Sequence, residues 1–268
     1  MDVIASSRKV KQSLVNTYPV ARLRERRYRH KFATTRGWRG LHYGVYQSFN
    51  EARSALPDNI YSSYSLDNDW YLTRYQQLEI LDYPVLYWLR ELITPKCRLL
   101  DFGGHAGITY YKYSSYLHYP EDLEWVVCEL PEVVKLGERL KAELCGKHLS
   151  FVTSLDNQDK VDIFHTAGCI QYVEAPVSDL LASLELLPPH LILTKVPLYE
   201  METRVTLQNT GDSIDPCWLF NRDEFIASIN KLGYRLHDSW ACPGRSINIP
   251  FHAEYNVVQM SGLYFNFE

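Results

Sequence analysis

The amino-acid sequence predicts an α/β fold built around a doubly wound, mostly parallel sheet of seven strands. From Cys97 onward, short apolar segments alternate with amphipathic helical patterns, which is typical of βαβ units and of a sheet covered by helices on both faces. The first of these strands runs directly into a glycine-rich turn and then a helical pattern. The last two strand patterns have no helix between them, so we expect an antiparallel C-terminal hairpin at one edge of the sheet.

Seven segments have the length and apolar content of strands, and four segments have helical spacing. The predicted strands are Arg98–Phe102, Trp125–Cys128, Leu149–Val152, Val161–His165, Leu191–Thr194, Arg235–Trp240 and Val257–Phe265. The predicted helices are Ile108–Leu117, Pro131–Leu144, Ser178–Leu186 and Arg222–Lys231. The polar segment Pro197–Pro216 follows the fifth strand, and we interpret it as a long loop.

We expect residues 1–95 to form a separate helical, aromatic-rich N-terminal cap. Residues 96–268 form the second predicted unit, which contains the seven-stranded sheet. Tyrosines crowd Tyr61–Tyr75, and Tyr83–Leu89 has apolar residues at helical spacing without strand alternation. One interpretation makes the cap a lid over the site, and the other makes it plain helical packing. Its basic stretch predicts either weak peripheral contact with an anionic membrane or with a phosphorylated acceptor, or else a solvated helix surface or a flexible arm. The cationic residues are Arg22, Arg24, Arg26, Arg27, Arg29 and Lys31.

Composition excludes several classes of protein. The net charge of −4 argues against general nucleic-acid binding. No apolar run reaches the roughly 18–20 residues that span a bilayer, and no apolar stretch follows Met1, so we expect a cytoplasmic protein without a secretory signal. The six cysteines lie far apart and lack metal-ligand spacing, which predicts buried thiols rather than disulfides or a metal site. The oligomeric state is not predicted.

The segment Leu99–Gly107 is the main candidate for a binding loop. Gly103, Gly104 and Gly107 suit a turn at which a ligand approaches the backbone without meeting a Cβ atom. Asp101 ends the strand before them, where its carboxylate would face a ligand ammonium group, and His105 lies inside the loop. The alternative is a tight structural turn, since a glycine loop alone is weak evidence.

Two further acids follow the next two strands. Glu129 comes directly after Trp125–Cys128, where doubly wound nucleotide-binding folds place the acid that accepts hydrogen bonds from a ribose diol. As a lone residue it would instead be an acid at the start of a helix. Asp156 follows Leu149–Val152, where it either caps an adenine amino group or forms a turn.

The order of these features resembles the motifs of class I S-adenosylmethionine-dependent methyltransferases over about residues 97 to 265. The phosphate-binding pattern GxxxxGK[ST] is missing, and the loop has GGxxG after an acid instead of the GxGxxG of dehydrogenases. The resemblance implies a Rossmann-like domain with S-adenosyl-L-methionine as cofactor. It also adds Leu130, beside Glu129, and Thr166, in the fourth-strand segment, as cofactor contacts.

A narrower resemblance is to a bacterial family of methyltransferases associated with surface-polysaccharide biosynthesis. It depends on five segments: Gly37–Gly40, Leu99–Gly104, Thr206–Asn209, Phe220–Arg222 and Gly262–Phe265. The family's acceptors are poorly defined, so the resemblance implies a reaction class more than a substrate. As acceptor-binding residues we expect Tyr172, Gln208 and Asn209, although polar groups in that region also suit a solvated loop.

Methylation of a hydroxyl group needs a base that removes its proton. His165 is the first candidate because the carboxyl ends of parallel strands line the ligand crevice, and His252 on the loop between the last two strands is the second. His105 is a third, and any of the three is also a candidate structural histidine. The position comparable to the catalytic histidine of plant-type O-methyltransferases is Gln171, which cannot act as a base.

The sequence therefore predicts a methyltransferase that modifies a hydroxyl of a sugar, sugar nucleotide or glycan. One alternative keeps the fold and makes the protein a nucleotide-dependent oxidoreductase or sugar-modifying enzyme. The other is a non-catalytic module that binds the cofactor without turnover.

Overall fold

The computed structural model describes residues 18–36, 40–56, 77–156, 158, 160–211 and 213–267. The strands in these ranges are β1 (Leu41–Tyr46), β2 (Arg98–Phe102), β3 (Glu124–Cys128), β4 (Leu149–Val152), β5 (Ile163–Ala167), β6 (His190–Val196), β7 (Leu198–Tyr199), β8 (Arg204–Asn209), β9 (Ile214–Asn221), β10 (Tyr234–Cys242) and β11 (Met260–Phe267). The helices are α1 (Tyr18–Thr34), α2 (Phe49–Ser54), α3 (Asp82–Leu92), α4 (Ile108–Tyr113), α5 (Pro131–Leu144), α6 (Val177–Ala182) and α7 (Arg222–Asn230).

The central sheet has seven strands in the order β10-β11-β6-β5-β2-β3-β4. Strands β6, β5, β2, β3 and β4 are parallel, whereas β11 is antiparallel to both β6 and β10. The predicted fold class is thus confirmed, including the antiparallel C-terminal hairpin at the edge. The fourth predicted strand was placed two residues early, because β5 runs from Ile163 to Ala167.

The strand order creates a switch point between β2 and β5. The chain leaves β2 toward β3 and β4 on one side, and later adds β5 and β6 on the other side. In open α/β sheets, ligands bind outside the carboxyl ends of the strands at such a point. The loop that follows β2 lies there.

Both faces of this sheet are covered by apolar side chains. Leu100, Phe164 and Leu193 belong to one core cluster, and Leu99, Trp125 and Ile163 belong to another that includes residues of α3. Successive residues of a strand belong to opposite clusters, because side chains along a strand point alternately to the two faces of the sheet. The residues that face the helices on both sides of these strands are therefore mostly apolar.

A second sheet, with the order β1-β8-β9-β7, was not predicted. The loop interpretation of Pro197–Pro216 is wrong, since β7, β8 and the start of β9 lie within it. The reason is that Thr206, Gln208 and Asn209 of β8 are buried polar residues whose side chains form hydrogen bonds. Val205 and Leu207 do alternate with Arg204, Thr206 and Gln208, but Thr206 and Gln208 are buried as well, so the polar positions were wrongly interpreted as those of a solvated loop.

The described part of residues 1–95 contains helices α1, α2 and α3, but also strand β1, which contradicts an all-helical cap. Strand β1 pairs with β8, and Val85 and Leu89 of α3 belong to a core cluster of the central sheet. The boundary at residue 95 stays a prediction. Residues 1–17, the Gly37–Arg39 part of the first resemblance segment, and Tyr61–Tyr75 lie outside the described residues. Within the described ranges, no helix combines the length and the apolar character needed to cross a membrane.

Candidate functional site

The glycine loop begins directly after β2, and its first two glycines are enclosed by protein atoms. Gly103 has a φ of 70°, which favours glycine, and a Cβ atom there would lie 2.3 Å from the Sγ of Cys169. A Cβ on Gly104 would lie 2.5 Å from the Cγ of Asp101. The loop therefore packs closely on the strand ends, and a side chain at either position would displace a neighbour.

Glu129 turns its carboxylate toward this loop. Its Oε1 accepts a hydrogen bond from the backbone N–H of His105 at 3.2 Å, and its Oε2 accepts one from the N–H of Leu130 at 2.8 Å. Burial raises the pKa of Glu129, and these two hydrogen bonds oppose that effect. Among the described residues Glu129 has no ion-pair partner. A largely buried carboxylate without a cation retains acceptor sites for a ligand's hydroxyl groups.

The other predicted cofactor contacts lie along the same edge of the sheet. Leu130 is 54% exposed directly beside Glu129. Asp156 is exposed after β4, where its carboxylate and backbone N–H both bond to Ser154. Thr166 lies within β5, and its buried Oγ1 has no hydrogen-bond partner in the part of the chain that is described.

Asp101 and His165 form a buried pair below the loop. The Oδ1 of Asp101 lies 2.7 Å from the Nδ1 of His165, and Trp125 Nε1 donates to Oδ2 at 3.3 Å. Both members of the pair are fully buried, and the Nε2 of His165 has no partner among the described residues. His165 thus lies inside the strand, and its exposed surface is zero. The sequence predicted both residues for the site, but not their contact.

A second buried polar cluster lies on the helices that cover this face. Asp82 of α3 forms an ion pair with Lys112 of α4 at 3.1 Å and accepts a hydrogen bond from the hydroxyl of Tyr113 at 2.9 Å. Burial, together with the charge of Asp82, raises the pKa of Tyr113 well above its usual range. This cluster was not predicted, although a lysine within the aromatic helix Ile108–Tyr113 is a signal for it in the sequence.

The predicted acceptor residues separate into two places. The hydroxyl of Tyr172, in the turn after β5, donates to the Oε1 of Gln208 on β8 at 2.5 Å. Asn209 instead connects β8 to the end of α1: its Nδ2 donates to the carbonyl groups of Phe32 and Thr35, and its Oδ1 accepts from the N–H of Gly211. Tyr172 and Gln208 therefore share a site, whereas the Asn209 amide is held by backbone groups.

The remaining histidines differ in environment. Burial lowers the pKa of His105 to about 4, so its ring is neutral near pH 7. His252 is partly exposed in the loop between β10 and β11. It follows Phe251, which lines a surface groove of about 570 Å³ between this loop and the basic helix α1. Contact of α1 with an anionic membrane stays a prediction.

Lys195 is a residue of the strand edge that the sequence analysis did not select. It is the one charged residue in the largely apolar segment Leu191–Val196, and this was the available signal. Its φ of 58° is left-handed, although it is not a glycine. The side chain lies against Gly168, the residue that follows β5.

Comparisons with known proteins give similarities of fold at low identity. No protein-family model matches the sequence, and no curated protein is significantly similar to it. The structure of the 1,6-didemethyltoxoflavin-N1-methyltransferase of Burkholderia thailandensis, with bound 1,6-didemethyltoxoflavin and S-adenosylhomocysteine, is 18% identical. That match covers 71% of this chain and 80% of that chain, with a TM-score of 0.47. An S-adenosylmethionine-dependent methyltransferase of Clostridium acetobutylicum is 8% identical, covers 75% of this chain and 93% of its own, and gives a TM-score of 0.48. At these values the function has to be argued from the residues of this chain.

Proposed function

We propose that this protein is an S-adenosylmethionine-dependent methyltransferase that acts on a hydroxyl group of a small acceptor. The sugar, sugar nucleotide or glycan predicted from the sequence is the proposed class of acceptor. The observation that carries this proposal is the carboxylate of Glu129, which is directed at the glycine loop at the switch point of the sheet.

The residues at this edge fit an adenosyl cofactor. Glu129 accepts hydrogen bonds from two backbone N–H groups. A carboxylate can accept about four hydrogen bonds, so about two sites remain for the hydroxyls of a ribose. The exposed Leu130 offers an apolar surface to the adenine ring, and Asp156 is the proposed partner of the adenine amino group. Gly103, Gly104 and Gly107 form the backbone of the turn that the methionine part would approach.

Asp101 and His165 support the loop from below. Asp101 remains the proposed partner of the cofactor ammonium group, through the buried carboxylate that packs against Gly104. His165 fixes the orientation of that carboxylate through the 2.7 Å contact of its Nδ1. We therefore assign His165 a positioning role, in which it acts through the Asp101 carboxylate.

The bound cofactor supplies an electrophilic methyl group, and the chain's own residues align the acceptor and take up its proton. Displacement at a methyl carbon is in line, so orientation of the acceptor contributes much of the rate. Tyr172 and Gln208 lie after β5 and on the adjoining second sheet, where their hydrogen-bonded pair presents polar groups to a hydroxylated acceptor. His252 stays a proposed acceptor-side residue on the loop after β10.

Calorimetry distinguishes this function from its first alternative. We expect S-adenosylhomocysteine to bind with a micromolar Kd and NADH to give no heat at the same concentrations. Tight binding of NADH without S-adenosylhomocysteine binding would reverse the assignment to an oxidoreductase. A non-catalytic module would bind S-adenosylhomocysteine but transfer no radioactive methyl group to a mixture of sugars, sugar nucleotides and glycans.

A further inference from the structure

The backbone at Lys195 is irregular at the carboxyl end of a parallel strand. Between Leu193 and Val196 the pairing of β6 with β11 shifts, because three steps on β6 face two steps on β11 from Leu263 to Ser261. Lys195 therefore lies in a β-bulge, with a φ of 58° that L residues rarely adopt. Bulges beside active sites re-aim a side chain, and left-handed non-glycine residues are enriched at functional sites.

The bulge directs the Lys195 side chain toward the residues that follow β5. A Cβ atom on Gly168 would lie 3.2 Å from the Cδ of Lys195. Gly168 is fixed there because its N–H donates to the carbonyl of Thr194 at 2.9 Å. Its neighbour Cys169 packs against Gly103. Gly168 and Cys169 thus connect the stem of Lys195 to the glycine loop.

The ammonium group of Lys195 has no hydrogen bond or ion pair within the described ranges. Four charged groups face it from neighbouring elements: Lys112 of α4, Asp82 of α3, Glu79 before α3 and Arg245 after β10. Burial lowers the pKa of Lys195 to about 8. Lys112 and Arg245 act in the same direction, whereas Asp82 and Glu79 oppose it. In weakly alkaline solution the amine of Lys195 is therefore neutral in a substantial fraction of the molecules.

Gln171 gives an independent indication of a polar ligand at this place. Its side chain is 2% exposed, and its Nε2 donates to the carbonyl of Gly168 at 3.1 Å. Its Oε1 is buried and has no hydrogen-bond donor among the described residues. A buried amide oxygen without a donor is costly, and an acceptor hydroxyl would satisfy it. Gln171 and Lys195 lie against the same glycine.

We propose that Lys195 is the base that takes the proton of the acceptor hydroxyl, an inference that rests on the proposed function. The hydroxyl oxygen forms a bond to the methyl carbon while its proton moves to the neutral amine of Lys195. The methyl–sulfur bond breaks, and its electron pair stays on the sulfur. The ammonium group then returns the proton to solvent, so charge and atoms balance.

Competitive acetylation tests this assignment without a known acceptor. The intact protein is labelled with trace acetic anhydride between pH 6 and pH 10, and each lysine peptide is quantified by mass spectrometry. Lys96 is the internal control, because it is exposed and has a similar φ of 64°. The series is repeated with S-adenosylhomocysteine and with sinefungin, which carries an amine where the cofactor carries its methyl group.

We expect the labelling midpoint of Lys195 to be lower in the sinefungin complex than in the S-adenosylhomocysteine complex by about one pH unit or more. A like charge beside the amine disfavours its protonated form. Lys96 should show no such difference. Equal midpoints for Lys195 in the two complexes would overturn the proposal, since a purely structural lysine would not sense the methyl position.

The substitution Lys195→Met separates this result from a failure of the proposed function. We expect the variant to fold and to bind S-adenosylhomocysteine within about threefold of the parent, because the ammonium group has no hydrogen bond or ion pair to lose within the described ranges. Loss of cofactor binding in K195M would place Lys195 in the cofactor site and refute its role as the base. If S-adenosylhomocysteine does not bind the parent protein, the proposed function itself fails.

Discussion

Replacing Glu129 by glutamine tests the contact on which the cofactor assignment depends. The variant keeps the side-chain shape but exchanges one acceptor oxygen for an NH₂ donor. In the parent protein Oε1 and Oε2 each accept one backbone N–H, from His105 and Leu130, and each retains capacity for one ligand hydroxyl. The amide cannot serve both hydroxyls as an acceptor.

The expected loss is one charge-assisted hydrogen bond, or about 1.5–3 kcal/mol. This corresponds to a rise of roughly 10- to 150-fold in the Kd for S-adenosylhomocysteine. The measurement is calorimetric titration at pH 7.5 of the parent, E129Q and the control Glu132→Gln. Glu132 is exposed in the first turn of α5, three residues away, so its substitution removes the same charge from the neighbourhood.

The pH dependence of Glu129 gives the same test a second readout. Burial raises the pKa of this carboxyl, so the folded protein binds the proton more tightly than the unfolded chain does. The stabilising effect of the bound proton is present below the unfolded pKa and is lost as the pH rises through the folded pKa. Cofactor affinity should change in the opposite sense, and weaken as the pH falls from 7 toward that raised pKa. Unchanged affinity in E129Q at every pH would refute the ribose contact.

Three further substitutions test the packing around the site. Gly104→Ala places a Cβ atom 2.5 Å from the buried Asp101 carboxyl, so we expect a loss of about 1–3 kcal/mol in denaturant unfolding and weaker S-adenosylhomocysteine binding. Asp82→Ala leaves Lys112 buried without its partner and should cost about 3–5 kcal/mol in the same assay. Asn209→Ala leaves three backbone groups without their side-chain partner and should cost about 2–4 kcal/mol.

Gly104→Ala and Asp82→Ala each have a matched control. Gly244→Ala adds a Cβ atom where nothing lies within 4 Å, so it should destabilise less than G104A despite its positive φ. Glu174→Ala removes an exposed ion pair with Arg53, and should change stability by less than about 1 kcal/mol. For N209A, an unchanged unfolding midpoint together with lost acceptor methylation would return Asn209 to the acceptor site.

The central sheet was predictable because each of its strands is indicated by the residues of its own segment. Arg98–Phe102 and Leu149–Val152 coincide with their predicted bounds, since each is a short, mainly apolar segment next to turn residues. The orientation of Glu129 also follows from local order, because an acid directly after β3 has the loop after β2 as its neighbour. Parallel neighbours bring their carboxyl ends to one edge whatever the intervening loop contains.

The second sheet and the buried pairs were not predictable in this way. Strand β1 pairs with β8, so neither segment shows its partner in its own neighbourhood. The contact of Asp101 with His165 joins residues 64 positions apart, and the bulge at Lys195 depends on its register with β11. Each of these features depends on pairing between distant segments, which periodicity within a single segment does not encode.

The small β1-β8-β9-β7 sheet constrains the order in which the molecule can be completed during synthesis. The side-chain amide of Asn209 donates a hydrogen bond to the carbonyl of Phe32, a residue 177 positions earlier in the chain. Synthesis proceeds at about 5–20 residues per second, so roughly 10 to 35 s separate the synthesis of Phe32 from that of Asn209. Until then β1 exposes an unpaired edge, and the glycine loop can form earlier than the sheet that carries Gln208. The central sheet is completed later still, because β11 lies between β6 and β10 in that sheet and extends to Phe267, so both sheets wait for segments made after residue 200.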